Sequence, residues 1–211
     1  MFLNTDKAGN VMEYQCKYTQ SPLVIDADLT KPQWEKAYPV LLKGVVSGEK
    51  PKQGTIAKLL WDENFLYVAF DCEDYEIKAK MTRYNDSIYD EDVVEIFIGD
   101  DKNPNSYIEI EVNPNNAILH YLIRNDGKQN FSYERREEVI LSAVVRTENK
   151  TCYELAIPAN EFLDSLKEGL RWRFNLYRID RGETDEYTAF SPTGIVNYHV
   201  PEKFADLFFV K

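Results

Sequence analysis

An all-β chain is what the sequence predicts: a two-sheet antiparallel β-sandwich, immunoglobulin-like or jelly-roll-like, with one or two short helices. Three observations carry that prediction. Runs of β-branched and aromatic residues with period-two alternation recur along most of the 211 residues. Short turn segments separate the runs. Helical spacing is confined to two brief stretches. Ten or so strands with almost no helix can bury their apolar faces only by packing two sheets together.

Taken in order, the first ordered segment is a short helical piece at "PQWEKA" (32–37). "TIAKLLWD" (55–62) and "FLYVAFDCED" (65–74) follow as strands, joined by a tight connection at Asp62, Glu63 and Asn64. "YEIKAKMTRYNDSIYDE" (75–91) is the longest irregular stretch, and long loops on a rigid sandwich are where binding residues collect. Strands resume at "DVVEIFIG" (92–99), "SYIEIEVNP" (106–114), "AILHYLIR" (117–124), "EVILSAVVRT" (138–147) and "TCYELAIP" (151–158). "NEFLDSL" (160–166) is a second short helix with Asn160 as its N-cap. "RWRFNLYRID" (171–180), "EYTAF" (186–190) and "DLFFVK" (206–211) complete the sheets. No internal repeat, low-complexity linker or shift in composition divides the chain, so residues 1–211 read as one domain with its core at about 22–210.

Composition narrows the class of function. At 44% hydrophobic and 13% aromatic the chain can bury a full core. A formal charge of −11 opposes nucleic acid and anionic membranes, both of which need basic patches, and suits cations, neutral ligands or simple solubility. No apolar run reaches the roughly 18 residues of a membrane span. The start, "MFLNTDKAGNVMEY", lacks the basic-then-apolar pattern of a secretory signal. That fits the cytoplasm, or an extracellular or periplasmic site if a signal was removed. Cys16, Cys72 and Cys152 are widely spaced and read as free thiols rather than a disulfide or zinc framework.

Alternation assigns faces. Val94, Ile96 and Ile98 share one face of their strand, and Val93, Glu95 and Phe97 the other. Ile108, Ile110 and Val112 likewise oppose Tyr107, Glu109, Glu111 and Asn113. If the two strands are hairpin neighbours, three glutamates and an asparagine gather on one face. Arg171, Arg173, Arg178 and Arg181 are the basic residues available to compensate them, as in a solvated face laced with ion pairs. Trp61 and Trp172 lie within strands as core, and His120 reads as structural.

Carboxylate chemistry has three outlets here. Hydrolysis of a glycoside needs two carboxyl groups facing one another across a cleft, and no pair is singled out. Calcium takes six to eight oxygens, often from loops. Asp26 and Asp28 in "IDADLTKPQW" and Asp86, Asp90 and Asp92 in "YNDSIYDED" offer such oxygens for a structural Ca2+, without EF-hand spacing. The third outlet is the polar rim of a surface that binds something neutral.

Five segments then take on a familiar order: "LVIDADLTKPQWEKA", "KLLWDENFLYVAFDCED", "YDEDVVEIFIGD", "RWRFNLYRID" and "FSPTGIVNYHVPEKFADLFF". In that order they resemble family 9 carbohydrate-binding modules, especially the stand-alone bacterial branch, over residues 22–210. The family start, Ile-Asp-Gly with a later Trp, is matched by Ile25, Asp26, Ala27 and Trp34. Its middle motif is matched by Asp92, Val94, Glu95, Ile96 and Phe97, and its end by Ser191, Pro192, Tyr198, His199, Pro201, Glu202 and Phe204. The resemblance implies a sandwich, often with structural calcium, that binds a mono- or oligosaccharide and does not hydrolyse it. It also implies two stacking rings, which fall on Tyr89 and Tyr198 where the family has tryptophan. Polar contacts fall on Glu95, on Glu111 (an arginine in the family), on Asn113 and near Tyr177, with Arg178 and His199 beside them. Tyrosine offers a smaller ring, which weakens stacking, but sugar C–H faces on aromatic rings and hydroxyls on carboxylates keep their logic. On the residues alone, other readings stay open. They are a small carboxylate-dependent glycoside hydrolase, a haem-binding sandwich with an axial pair such as Met81 or His120, and an interaction domain that has lost its ligand.

Overall fold

The strand runs of the sequence become a two-layer β-sandwich in the computed structural model, which describes residues 12–128, 130–162 and 165–211. The strands are β1 (Glu13–Tyr18), β2 (Val40–Leu41), β3 (Lys43–Gly44), β4 (Thr55–Trp61), β5 (Phe65–Glu73), β6 (Val93–Asp100) and β7 (Ser106–Val112). They continue as β8 (Ile118–Asn125), β9 (Phe131–Arg135), β10 (Leu141–Arg146), β11 (Lys150–Pro158), β12 (Arg171–Asp180), β13 (Glu186–Ala189) and β14 (Ala205–Val210). All ten sequence-predicted strands form. Helix is reduced to single 3-10 turns at Pro32–Lys36, Ile88–Asp90, Ala159–Glu161 and Pro201–Lys203. The predicted helix at 160–166 is thus a turn that begins at Ala159, with Asn160 inside it and Pro158 before it. Residues 163–164 of that stretch lie outside the described residues.

Hydrogen bonding runs along one continuous path, β10-β11-β5-β4-β1-β14-β12-β6-β7-β8-β9, rather than through two separate antiparallel sheets. The path folds over so that β10-β11-β5-β4 faces β12-β6-β7-β8. One link is β1, which pairs in parallel with both β4 and β14, and a second runs from β4 through β2 and β3 to β13 and β12. Sequence alternation misses β1 because only Tyr14 and Cys16 are fully buried in it. It misses β9 because that edge strand is exposed along its whole length and so carries no buried face to read.

The pleat sorts side chains into three apolar layers. Between the two halves lie Leu59, Val68 and Leu155 from one side and Ile96, Ile110 and Leu176 from the other, with Trp61 and Trp172 buried there as expected. On the outer face of the first half, Leu60, Tyr67 and Ala156 pack under the segment that carries Leu23 and Trp34. That cover is pinned by Glu154, a fully buried carboxylate on β11. It accepts hydrogen bonds from the Asp26 and Ala27 amides at 2.9 Å and from Trp34 Nε1 and Lys31 Nζ at 2.8 Å. On the outer face of the second half, Phe97, Tyr107, Leu119 and Tyr177 form a third layer under Ile88, Tyr198 and Phe204. This last face carries the three glutamates.

Candidate functional site

Register settles which groups meet. Glu95 on β6 lies opposite Glu111 on β7, and Phe97 lies opposite Glu109. The face that could have been a solvated, ion-paired surface is instead roofed, and all three glutamates are buried. One oxygen from each lies within 4.8 Å of the others. They line an open pocket of about 350 Å³ together with Tyr89, Tyr198 and His199.

Tyr89 projects from the 3-10 turn Ile88–Asp90 with 45% of its surface exposed. The turn is held from behind. The Glu91 carboxylate accepts from the Lys80 and Met81 amides at 2.7 and 3.0 Å. Asn113 Nδ2 donates to Met81 O and to Glu91 Oε2, each at 2.9 Å. Arg181 Nη2 donates to Tyr89 O at 2.7 Å. Tyr198 is fixed differently. Its ring stacks on Tyr177 at 4.0 Å between centroids and 11° between planes. Its hydroxyl donates to Arg178 O, and the Tyr177 hydroxyl donates to Tyr198 O, both at 2.9 Å. His199 packs its ring 5.0 Å from Phe97, and its Nδ1 is 2.9 Å from the Tyr107 hydroxyl.

The electrostatics follow from burial. Desolvation pushes the Glu95, Glu109 and Glu111 carboxyls above the usual range. The charge of Glu109 raises Glu95 further, and Glu95 and Glu109 together raise Glu111. Arg181 pulls Glu95 part of the way back. Glu111 Oε2 is buried and has no hydrogen-bond donor. Burial also depresses His199 to about 4, so its imidazole is neutral near pH 7, although Nε2 lies 3.9 Å from Glu109.

Of the sequence-predicted ligand residues, Tyr89, Glu95, Glu111, Tyr198 and His199 line the pocket. Tyr177 stands behind Tyr198. Asn113 is turned to the loop that carries Tyr89 and braces it, as its buried amide must be satisfied. Arg178 is on the wrong face. Adjacent strand residues point oppositely, so Tyr177 and Arg178 cannot both face the pocket. Arg178 instead reaches Thr55 Oγ1 at 3.2 Å and Glu73 O at 2.7 Å, inside the sandwich, and lies 3.4 Å from Asp180. Glu109, Phe97, Ile179, Tyr187, Val196 and Asn197 complete the lining without having been named as ligands. Glu109 and Phe97 share the period-two face of Glu95 and could have been included. Tyr187 enters through its pairing with Ile179, which only the sheet order reveals.

The acidic residues proposed for calcium do not gather. Asp26 pairs with Lys31, and Asp28 accepts from Thr30 N and Oγ1 at 2.9 and 2.7 Å. Asp86 accepts from the Arg83 amide at 3.0 Å, and Asp90 is exposed. Asp92 alone joins a carboxylate cluster, with Asp74 and Asp180. There its two oxygens accept from the Lys78 and Arg181 amides, while the Arg178 guanidinium already pairs with Asp180. Asp74 Oδ1 and Asp180 Oδ1 are buried in this cluster without a hydrogen-bond partner.

A hydrolytic pair is also absent from the pocket. The glutamates sit side by side on one sheet face, whereas cleavage needs carboxyls on opposite sides of the bond. Nor can Met81 and His120 act together on a haem. Met81 packs into the layer beneath the pocket. His120 points into the sandwich from β8, where its Nδ1 is 3.0 Å from the Tyr84 hydroxyl and its Nε2 is 3.4 Å from Glu161.

Comparison with known proteins is consistent along nearly the whole chain. A family model described as "Carbohydrate family 9 binding domain-like" matches residues 25–210. An extracellular protein of Arthroderma benhamiae is 25% identical over 183 residues, covering 78% of this chain and 82% of that protein. Endo-1,4-beta-xylanase C of Paenibacillus barcinonensis is 31% identical over 153 residues, which is 72% of this chain but only 13% of the xylanase. Among solved structures, a candidate carbohydrate-binding protein of Bacteroides uniformis superposes with a TM-score of 0.77 at 15% identity, covering 93% of this chain and 98% of that one. A family 9 carbohydrate-binding module of Caldicellulosiruptor kristjanssonii, in complex with cellotriose, gives 0.70 at 17% identity over 94% of this chain and 93% of its own. The same organism's module with glucose gives 0.67 at 17% identity over 93% and 95%. The match to the family model over residues 25–210, on a sandwich with a roofed outer pocket, shows that this chain belongs to the carbohydrate family 9 binding domains, which bind sugars without cleaving them.

Proposed function

We propose that the pocket between Tyr89 and Tyr198 is where this chain holds its sugar. The carrying observation is the combination of an aromatic rim with a floor of three buried carboxyls in one open pocket of about 350 Å³. A pyranose has apolar C–H faces and a ring of hydroxyls. The first stack on tyrosine rings, and the second need groups that accept and donate in a dry site. Carboxyls that keep a proton when buried do both. Stacking on the exposed Tyr89 and the fixed Tyr198 supplies contact area, Glu95 and Glu111 orient the hydroxyls, and His199 and Asn197 close the far wall. Asn113 and Tyr177 act by positioning Tyr89 and Tyr198.

The modules of Caldicellulosiruptor kristjanssonii carry cellotriose and glucose, which makes gluco-configured rings the first probes to use. Titration calorimetry of the full chain against glucose, cellobiose, cellotriose and xylo-oligosaccharides, with and without calcium, tests the assignment. A saturable heat that Tyr89→Ala reduces about tenfold supports it. Sugar binding that is indifferent to Tyr89→Ala and Glu95→Gln would place the site elsewhere.

A further inference from the structure

Resting on that sugar-site assignment, we propose that the pocket selects a sugar bearing a primary amine, such as a 2-amino-2-deoxyhexose, over the neutral hexose of the same shape. Three carboxylates converge on its floor, with one oxygen of each within 4.8 Å of the others. Among the described residues, no lysine or arginine lines the pocket. Arg181 approaches from outside the lining and lowers Glu95 in part, with Nη1 and Nη2 committed to Asp185, Tyr187 and the Tyr89 carbonyl. His199 is neutral. Glu111 Oε2 is buried without a donor, an acceptor aimed into the pocket and left open.

The free protein handles this crowding with protons. One oxygen of Glu109 lies within 4.8 Å of one of Glu111, and burial raises both carboxyls above their usual range. A neutral sugar brings single O–H donors and no charge, so it leaves the protons where they are. An ammonium group brings three N–H donors and a positive charge, one donor for each carboxyl, and takes the place of a proton held by the floor. The rings of Tyr89 and Tyr198 add cation–π attraction for a charge held between them. Proton release on binding follows directly from that exchange.

Calorimetry of the full chain with glucosamine, glucose and N-acetylglucosamine tests this at pH 7, in two buffers of different ionisation enthalpy and with or without calcium chloride. Glucosamine should bind at least about tenfold more tightly than glucose, the usual scale of a hydrogen-bonded charge. Its affinity should fall with added salt, and its apparent enthalpy should change with the buffer because a proton leaves. Glu111→Gln should bring the glucosamine-to-glucose ratio towards one. If that variant unfolds by circular dichroism, the wild-type ratio and buffer dependence still decide. Glucose binding as tightly as glucosamine overturns the preference and leaves the sugar site standing. Sugar binding that requires calcium chloride also overturns it, because the floor would then be a cation site. No binding of any of the three or of cello-oligosaccharides removes the sugar site and the preference with it.

Discussion

Tyr89 and Tyr198 line the same pocket but differ in how the chain holds them, and their alanine variants should separate accordingly. Tyr89 is 45% exposed and makes no buried stack, so Tyr89→Ala should leave the melting temperature within about 2 °C and weaken sugar binding about tenfold. Tyr198 is 8% exposed, stacked on Tyr177 and bonded to the Arg178 carbonyl, so Tyr198→Ala should cost about 3 kcal/mol of stability as well as binding. Thermal melts beside calorimetry check both. The glutamate floor gives a pH signature. Carboxyls whose pKa is raised in the folded state contribute stability at low pH that is lost as pH rises through the folded value. Asp92 and Asp180, raised to about 6 by burial, act this way between about pH 4 and 6. His120 and His199, depressed to about 4, oppose them there, since buried neutral imidazole loses stability as pH falls. Above pH 7 those four groups are silent and the floor remains. Wild-type stability should therefore fall as pH rises through the folded-state values of the floor, where Glu109 lies at about 7, and Glu111→Gln should fall less. A melting curve of Glu111→Gln parallel to wild type across that range would show that Glu111 carries no such burden.

At the scale of the element, the period-two pattern was a sufficient guide for β6 and β7. It put Glu95, Glu109 and Glu111 on one face before any pairing was known, because a strand has only two faces. It was insufficient for β12, where resemblance points near Tyr177 and Arg178 beside it was offered as a second orienting group, although the pleat sends Arg178 into the sandwich. What the alternation could not reveal is the roof. The face with three carboxylates looks like a solvent face until the segments carrying Ile88, Tyr198 and Phe204 cover it, and those contacts are remote in sequence. The loop acids offered for calcium stay apart for a related reason. Loop carboxylates close in sequence are satisfied by their own loop, as Asp28 is by Thr30 and Asp86 by Arg83, and such local bonds leave no common centre. The clamp on Glu154 was also invisible, since one glutamate in β11 gives no hint of four donors reaching it from residues 26–34. Glu154→Ala should cost about 2–3 kcal/mol, because it leaves the Asp26, Ala27 and Trp34 donors without their acceptor and Lys31 with Asp26 and Val24 O only. Chemical denaturation measures this, and a loss below about 1 kcal/mol would mean that the segment is held by its apolar contacts alone.

For the whole molecule, the two-layer architecture was legible because ten amphipathic strands leave no other way to bury one face each. The connection between layers was not legible. It depends on β1, whose Tyr14 is fully buried and bonds through its hydroxyl to Tyr38 O at 2.8 Å while receiving the Leu59 amide at 2.9 Å. Because β1 joins β4 to β14, Tyr14→Ala should loosen both halves at once and lower stability by about 3–5 kcal/mol in a single cooperative transition. Two resolved transitions would indicate halves that fold independently. The three apolar layers leave the roofed face of the second half as the place where aromatic rings, buried carboxyls and an open volume coincide, and the sugar site is assigned there. The most direct test of that assignment is a crystal structure of the chain soaked with glucosamine or cellotriose. The prediction is a pyranose ring stacked against Tyr89 and Tyr198 with its polar groups on Glu95, Glu109 and Glu111. A sugar bound elsewhere on the sandwich, with this pocket holding only water, would contradict it.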